Sequence, residues 1–447
     1  MSEASSQGSG LPSFDPLLAE FQAEPHRFFD EYRLRDPVHW SGCPDGRRGR
    51  WYIFDYRSAV TALLDKRFCR EPVPSHGACP VPSARAGQTA ASQEPAACGF
   101  LSTIRNWLLF QDPPRHTRMR AAVKPLFTLP AAQALRPLIE RRVHELLAPL
   151  AKLESFDLMT EIASPLPLDV IAEVLGVEFG ERAASHGWSA AIRDGLDRPK
   201  WGSDALARAE EAIRGLRGYF EAAWRRHRTH PGKGVLRALF ELEGQDTGLS
   251  KEEAFGTFTL LISAGHETTT NLVGSGMYLL DRHPRERQRL LEQPDLIPKA
   301  IEEILRFESP VQLAARNVTE EVELGSRRLL PGQRVEILLG SANRDPAVFD
   351  APDRFDVARK PNPHLAFGIG AHYCLGASLG RLIASVALPI LLERVRVQAP
   401  ARGTNPWSKI AGFRGLGHLP ARFAARSGKP PAGKGTAPKR AAARARS

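Results

Sequence analysis

The residues best suited to chemistry lie in Phe367-Gly-Ile-Gly-Ala-His-Tyr-Cys374-Leu-Gly376. Glycines at 368, 370 and 376 free the backbone to bend tightly beside a large flat object. Cys374 stands just ahead of a helix pattern, where amide N–H groups and the helix dipole favour a thiolate over a thiol. A thiolate with amide donors aimed at it is what a cysteine-ligated haem iron requires. A dinucleotide-binding G-x-G-x-x-G fails, because Tyr373 stands at the third glycine position. A nucleophilic pair of Cys374 with His372 and a buried, inert thiol are the competing readings of this stretch taken alone.

A second stretch, Leu260-Leu-Ile-Ser-Ala264-Gly265-His266-Glu267-Thr268-Thr269-Thr270-Asn271, lies within a helical pattern over residues 252–280. A glycine beside three β-branched threonines is poor helix chemistry, and local rules broken in mid-helix mark functional sites. Gly265 is expected to leave a notch for a small molecule. The Thr268 hydroxyl can widen the turn and still donate a hydrogen bond, and Glu267 beside it can relay protons. A threonine-rich packed helix is the competing reading. A zinc-protease H-E-x-x-H fails, because Thr270 stands where the second histidine belongs.

Glu303 and Arg306 are i, i+3 partners in a helix pattern between Pro298 and Pro310, beside an apolar stripe of Ile301, Ile304 and Leu305. An exposed pair of this kind contributes under ~1 kcal/mol. The stripe points instead to burial, where the pair needs further hydrogen bonds, and Arg354 is the expected third member. In Asp112-Pro-Pro-Arg-His116-Thr-Arg-Met-Arg120, Asp112 is expected to cap a helix and Pro113 to occupy its first turn. His116 and Arg120 then share one face at i, i+4. Two donors there suit a pair of carboxylates such as haem propionates; an exposed basic helix is the alternative.

These stretches, together with Asn343-Arg-Asp-Pro346, occur in the order found in the soluble bacterial cytochrome P450 family, which the chain resembles from about residue 15 to residue 423. The cysteine loop is the most specific of them. The resemblance implies a haem-thiolate monooxygenase that uses haem b (iron protoporphyrin IX), with O2 as co-substrate. It implies Cys374 as the proximal iron ligand and Phe367 packed near its sulfur. His116, Arg120, Arg316 and His372 match positions that contact the haem propionates, and Ala264 and Gly265 match positions that face the haem. Glu267 and Thr268 match the acid–alcohol pair that supplies protons for dioxygen activation. Glu303, Arg306 and Arg354 match a structural triad behind the cysteine loop, with Arg359 as a nearby competitor for the third place.

The resemblance also places a substrate pocket at Leu260, Ser263, Ala264, Gln312, Ala314 and Phe413. Such a wall suits hydroxylation or epoxidation of a hydrophobic small molecule (a polyketide, terpenoid, steroid or fatty acyl chain), with secondary metabolism favoured. Electrons are expected from ferredoxin and ferredoxin reductase, the sequence being expected to carry no reductase domain of its own. A basic patch of Arg115, Arg118 and Lys124 would attract an acidic ferredoxin. A peroxide-driven haem enzyme and a haem-binding protein without turnover are the alternatives, and Glu267 with Thr268 argues against both. Gly380 and Ile383 stand where alanine and glutamate are commoner in the family, with only local packing changes expected. Ser263 puts a hydroxyl where an apolar residue is commoner.

The elements that must position these groups are mostly helical. Helix patterns cover residues 15–35, 57–64, most of 112–306 and 375–393. Strand patterns are expected at 38–40, 51–54 and 335–339, the last just after the Pro331-Gly332 turn. The expected fold is mainly α with a smaller β part. It forms a single large domain, with the haem between the long mid-chain helix and the helix after the cysteine loop. Residues 71–99, rich in Pro, Ala, Ser and Gly, read as a long functional or mobile loop, which by the resemblance caps the substrate.

Composition agrees with this size of core. The chain has 447 residues, 42% hydrophobic and 25% charged, which excludes general disorder, collagen and a disulfide-stapled miniature fold. Formal net charge is +11, but residues 424–447 carry seven basic and no acidic residues, leaving +4 for the remainder. Residues 424–447 are therefore expected to be a disordered basic tail and residues 1–12 a polar leader, with the catalytic domain spanning 13–423. No nucleic-acid partner is expected. No apolar run of about 18 residues occurs, so no membrane anchor is expected. Five scattered cysteines suit a reducing, cytoplasmic setting, and a monomer is expected.

Overall fold

The computed structural model describes residues 10–16, 18–42, 49–71, 99–177, 182–196, 204–227, 229–230, 233–242, 248–398, 406–408 and 412–424. Most of the expected loop (72–98), most of the leader (1–9) and the tail from 425 lie outside the described residues. Within them the fold is mainly helical with a smaller sheet part.

The first helix pattern is split into Ala19–Ala23 and Pro25–Arg35. Pro25 crowds the residue before it out of helical geometry, and Glu24 accordingly has φ −132° and ψ 63°. Strands Val38–Gly42 and Gly49–Ile53 form an antiparallel pair. Gly49–Ile53 then runs parallel to Arg334–Leu338, which pairs antiparallel with Leu313–Val318. Phe68–Cys69 completes a five-stranded sheet at its far edge. Leu313–Val318 is absent from the expected strands, because Leu-Ala-Ala-Arg-Asn-Val carries no polar–apolar alternation. It matters to the site: its register sets Arg316 opposite Val335.

The long helix Lys251–Arg282 opens with a capping box, in which Ser250 accepts from the Glu253 amide and Glu253 returns a carboxylate to the Ser250 amide. From Glu253 to Leu280 most of its residues are buried, and within that stretch Ala264 alone is exposed. The helix Ala377–Arg394 packs along it in one apolar cluster that includes Leu272, Val273 and Met277 from the first, and Leu382 and Leu388 from the second. Each such side chain contributes about 1.5–3 kcal/mol on burial. The helix Pro165–Leu175 packs on another side, so closely that a Cβ on Gly265 would stand 3.1 Å from Ile171. The small residue expected to leave a ligand notch therefore admits a neighbouring helix instead.

Candidate active site

The cysteine loop is built from hydrogen bonds that run back into the core. Gly368 and Gly370 take positive φ of 66° and 75°, and a Cβ on Gly370 would also collide with Leu64 at 2.8 Å; both demand glycine. The Cys374 amide donates to Phe367 O at 2.9 Å. The Leu365 amide, at the root of the loop, donates to Asn343 Oδ1 at 2.6 Å. Asn343 in turn donates to Ser309 Oγ at 2.8 Å, and its carbonyl accepts from Arg306 at 3.1 Å. Cys374 itself is half-buried and is not in a disulfide. Burial pushes its thiol up, opposed by the Gly376 amide and by the charges of Arg120 and Arg381.

Arg306 and Glu303 are fully buried and paired at 2.8 Å. The third member is Arg359 and not the expected Arg354. Arg359 Nε lies 3.1 Å from both Glu303 oxygens, while the Arg354 side chain is 69% exposed and, among the described residues, pairs only with Asp356, at 3.9 Å. What Arg354 supplies is its carbonyl, which accepts from Arg306 at 3.3 Å and Arg359 at 2.8 Å.

Four basic residues named from the sequence converge. The His116 and His372 rings lie 4.2 Å apart between centroids, and Arg120 donates to Tyr373 O at 2.7 Å. Arg316 is 3% exposed and donates to Ala315 O at 2.8 Å. Arg70 is absent from the residues expected from sequence, yet it joins them. It lies at the edge of the 71–99 stretch, where no periodicity marks it, and it donates to Leu109 O and Ala315 O at 2.7 Å each. Asp112 does not cap the following helix with its side chain; it accepts from the Arg70 and Glu71 amides at 2.8 Å.

This cluster tests whether a haem fits. Burial, then the charges of Arg70, His116, Arg316 and Arg120, hold His372 down to about 2. Burial also lowers Arg70 to about 9 and Arg316 to about 10. His116 Nε2 is buried with no hydrogen-bond partner among the described residues. Confined donors with so little anionic compensation suit a ligand that carries carboxylates. With Cys374 nearby, the residues present fit a thiolate-ligated haem held by its propionates.

On the long helix, Ala264 is exposed and Thr268, one turn on, is half-buried, so both face open space within the fold. Thr268 Oγ1 donates to Ala264 O at 2.8 Å. Glu267 faces another way: its carboxylate pairs with Arg193 at 3.0 Å, on the helix Arg182–Leu196. His266 meets the same helix through Ser189 Oγ at 2.8 Å. No hydrogen bond joins Glu267 to Thr268 among the described residues. The expected acid–alcohol pair is thus contiguous in sequence but divided between two neighbours.

The six expected pocket residues come from three segments of the chain: the long helix, residues 312–314 and Phe413. Leu260, Ser263 and Ala264 lie on the long helix, the first two 8% exposed. Gln312 is pinned to Ser309 O at 2.6 Å and, with Phe413, lines a cleft against Phe21, Phe29, Leu313 and Arg414 that the other four do not line. Ala314 projects from the strand face opposite Leu313. The expected basic patch is also altered: Arg115 and Arg118 both pair with Glu253, at 2.8 and 2.6 Å, leaving Lys124 exposed. Glu253 is drawn down to about 2, burial being outweighed by Arg118, the Ser250 amide and Arg115.

Comparison with known proteins bears on this arrangement. The Cytochrome P450 family model matches residues 219–420. The chain is 34% identical over 407 residues to the biotin biosynthesis cytochrome P450 of Bacillus subtilis, covering 91% of this chain and 98% of that protein. It is 34% identical over 412 residues to 6-deoxyerythronolide B hydroxylase of Saccharopolyspora erythraea, covering 90% and 97%. Among solved structures, P450BioI in complex with hexadec-9Z-enoic acid ligated acyl carrier protein superposes with a TM-score of 0.79 at 32% identity, covering 91% of this chain and 100% of that one.

Proposed function

The chain belongs to the cytochrome P450 family of monooxygenases, and on that premise we propose that it inserts one oxygen atom of O2 into a hydrophobic small molecule, by hydroxylation or epoxidation. The observation that carries the reading is the convergence of His116, Arg120, Arg316, His372 and Arg70, with an orphaned buried nitrogen on His116, beside the Cys374 loop. These side chains would hold the two propionates of a haem b whose iron Cys374 ligates. Bound there, the haem supplies the redox chemistry of dioxygen activation.

The protein's part is orientation and proton supply. The Gly376 amide opposes the upward push of burial on the Cys374 thiol and so favours the thiolate an iron would need. Thr268 donates a hydrogen bond from the exposed face that it shares with Ala264. Glu267 takes up a proton on its carboxylate and passes it toward Thr268 after leaving Arg193. Leu260 and Ser263 line the same helix and limit water around the substrate. A relative named 6-deoxyerythronolide B hydroxylase and a neighbour solved with hexadec-9Z-enoic acid ligated acyl carrier protein support polyketide or fatty acyl substrates. Electrons would reach the site from a ferredoxin and its reductase, and the setting would be cytoplasmic; no helix among the described residues is long and apolar enough to cross a membrane.

The test is the reduced carbonyl spectrum. A strongly red-shifted Soret band is expected for the unsubstituted protein, and its loss is expected in Cys374→Ser. An unaltered band in Cys374→Ser would reject Cys374 as the ligand.

A further inference from the structure

We propose that Arg381 is a positioning residue that tunes the electron affinity of the haem site, its guanidinium held by Glu302 on the face of Phe367 behind Cys374. The proposal rests on the reading of Cys374 as the iron ligand. Arg381 lies in the helix Ala377–Arg394 that follows the cysteine. Its Nε and Nη2 donate to the two oxygens of Glu302 at 2.7 and 2.8 Å. Its Nη1 donates to the Tyr373 hydroxyl at 3.0 Å, and its Cζ stands 4.4 Å from the centroid of the Phe367 ring. Phe367 is the residue whose carbonyl accepts the Cys374 amide, and Tyr373 immediately precedes the cysteine. The cation therefore grips the loop at both ends of the segment that holds the sulfur.

Three directional contacts leave a planar guanidinium little freedom, and stacking on an aromatic face adds a cation–π attraction. Glu302 is also fixed by His364, whose Nε2 lies 3.0 Å from Oε2, the oxygen that accepts from Arg381 Nη2. Consecutive glutamates on the helix Ile297–Phe307 thus serve separate guanidinium clusters. Glu303 holds Arg306 and Arg359 in the core, and Glu302 holds Arg381 against the loop.

Gaining one electron adds a negative charge at the site. A fixed cation nearby favours that state and a fixed anion disfavours it. Arg381 touches the loop directly, through Nη1 on the Tyr373 hydroxyl and its face on Phe367, whereas Glu302 meets Arg381 through Nε and Nη2. Removing Arg381 deletes the nearer, favourable charge; neutralising Glu302 leaves that charge uncompensated. A purely mechanical clamp would weaken in the same sense whichever partner was lost. An electrostatic one moves the reduction potential in opposite directions.

The experiment is a spectroelectrochemical titration of the haem-loaded protein beside Arg381→Gln, Arg381→Lys and Glu302→Gln, each checked for the reduced carbonyl band. Arg381→Gln is expected to shift the one-electron equilibrium about threefold away from the reduced form, about 28 mV more negative at 59 mV per decade. Glu302→Gln is expected to move it by a similar amount in the positive direction, and Arg381→Lys to move it less than Arg381→Gln. A normal carbonyl band with potentials that do not move, or that move in the same direction, overturns the proposal alone. No red-shifted band in the unsubstituted protein overturns the ligand reading and this proposal with it. Should Arg381→Gln fail to retain haem, the sign for Glu302→Gln decides: a rise supports the proposal, and no change or a fall overturns it.

Discussion

Replacing Arg359 with methionine is the sharpest test of how the core holds the cysteine loop. The Arg359 side chain is 9% exposed beside a Glu303 that is fully buried. It donates to both Glu303 oxygens at 3.1 Å, and to the carbonyls of Asp350, Ala351 and Arg354 at 2.6, 3.1 and 2.8 Å. Its loss leaves Glu303 with Arg306, the Asp356 amide and the Asn362 amide group, and so with one guanidinium in place of two. Breaking a buried pair from one side costs about 3–5 kcal/mol. With an unfolding entropy of ~2.1 cal/mol/K per residue over 447 residues, that is a fall in Tm of about 3–5 °C. Arg354→Met removes an exposed side chain with one long ion pair and should change stability by no more than about 0.5 kcal/mol. Thermal unfolding followed by circular dichroism on the two variants decides the matter. Equal losses, or a larger loss for Arg354→Met, would refute the assignment of Arg359 to the triad.

Other expectations are as direct. Gly380→Ala should stabilise by about 0.5–1 kcal/mol in urea unfolding, since a Cβ there meets only Thr269 Oγ1, at 3.9 Å; a loss would show that the helix pair needs the glycine. Burial first, then Arg344, lowers His26 to about 4, so the folded state binds its proton more weakly than the unfolded one. Its contribution is present in full above the ordinary histidine value near 6.5 and is lost as pH falls toward 4, at up to about 1.4 kcal/mol per pH unit. His26→Gln should flatten a plot of Tm against pH in that window, and an unchanged slope would acquit His26. Thr268→Ala should keep the haem but divert reducing equivalents to hydrogen peroxide, read as peroxide released per NADH consumed; unchanged coupling would remove Thr268 from proton supply. Ala264→Phe should fill the exposed face of the long helix and abolish substrate-induced spin-state shifts while sparing the carbonyl band.

The parts of the site legible in sequence are those coded by neighbours. The cysteine loop, Glu303 with Arg306, and His116 with Arg120 each sit within one turn or one short helix, so spacing alone brings their side chains together. The third triad member could not be read this way. Arg354 and Arg359 lie in one irregular segment, and which of them reaches Glu303 is settled by the Arg354 carbonyl turning inward. Gly265 and the Arg115–Arg118 patch show the same limit. A glycine signals close approach but not by what, and a cation signals charge but not its partner; here the answers are Ile171 and Glu253. The small strands escaped because Leu313–Val318 is flanked on both sides by other strands, where alternation is not required.

The sheet register has a consequence for the order in which the molecule can assemble. The triad closes over a span of 56 residues, from Glu303 to Arg359. The central strand pair instead joins segments 282 residues apart, as the Trp51–Gln333 hydrogen bond marks. Loop-closure entropy rises with the logarithm of span, and pairings between distant segments slow folding. The segment that bears the cysteine can therefore acquire its shape while the first strands are still searching. The same scaling predicts that the N-terminal hairpin docks late, its Trp51 ring nitrogen then donating to Gln333 at 2.8 Å.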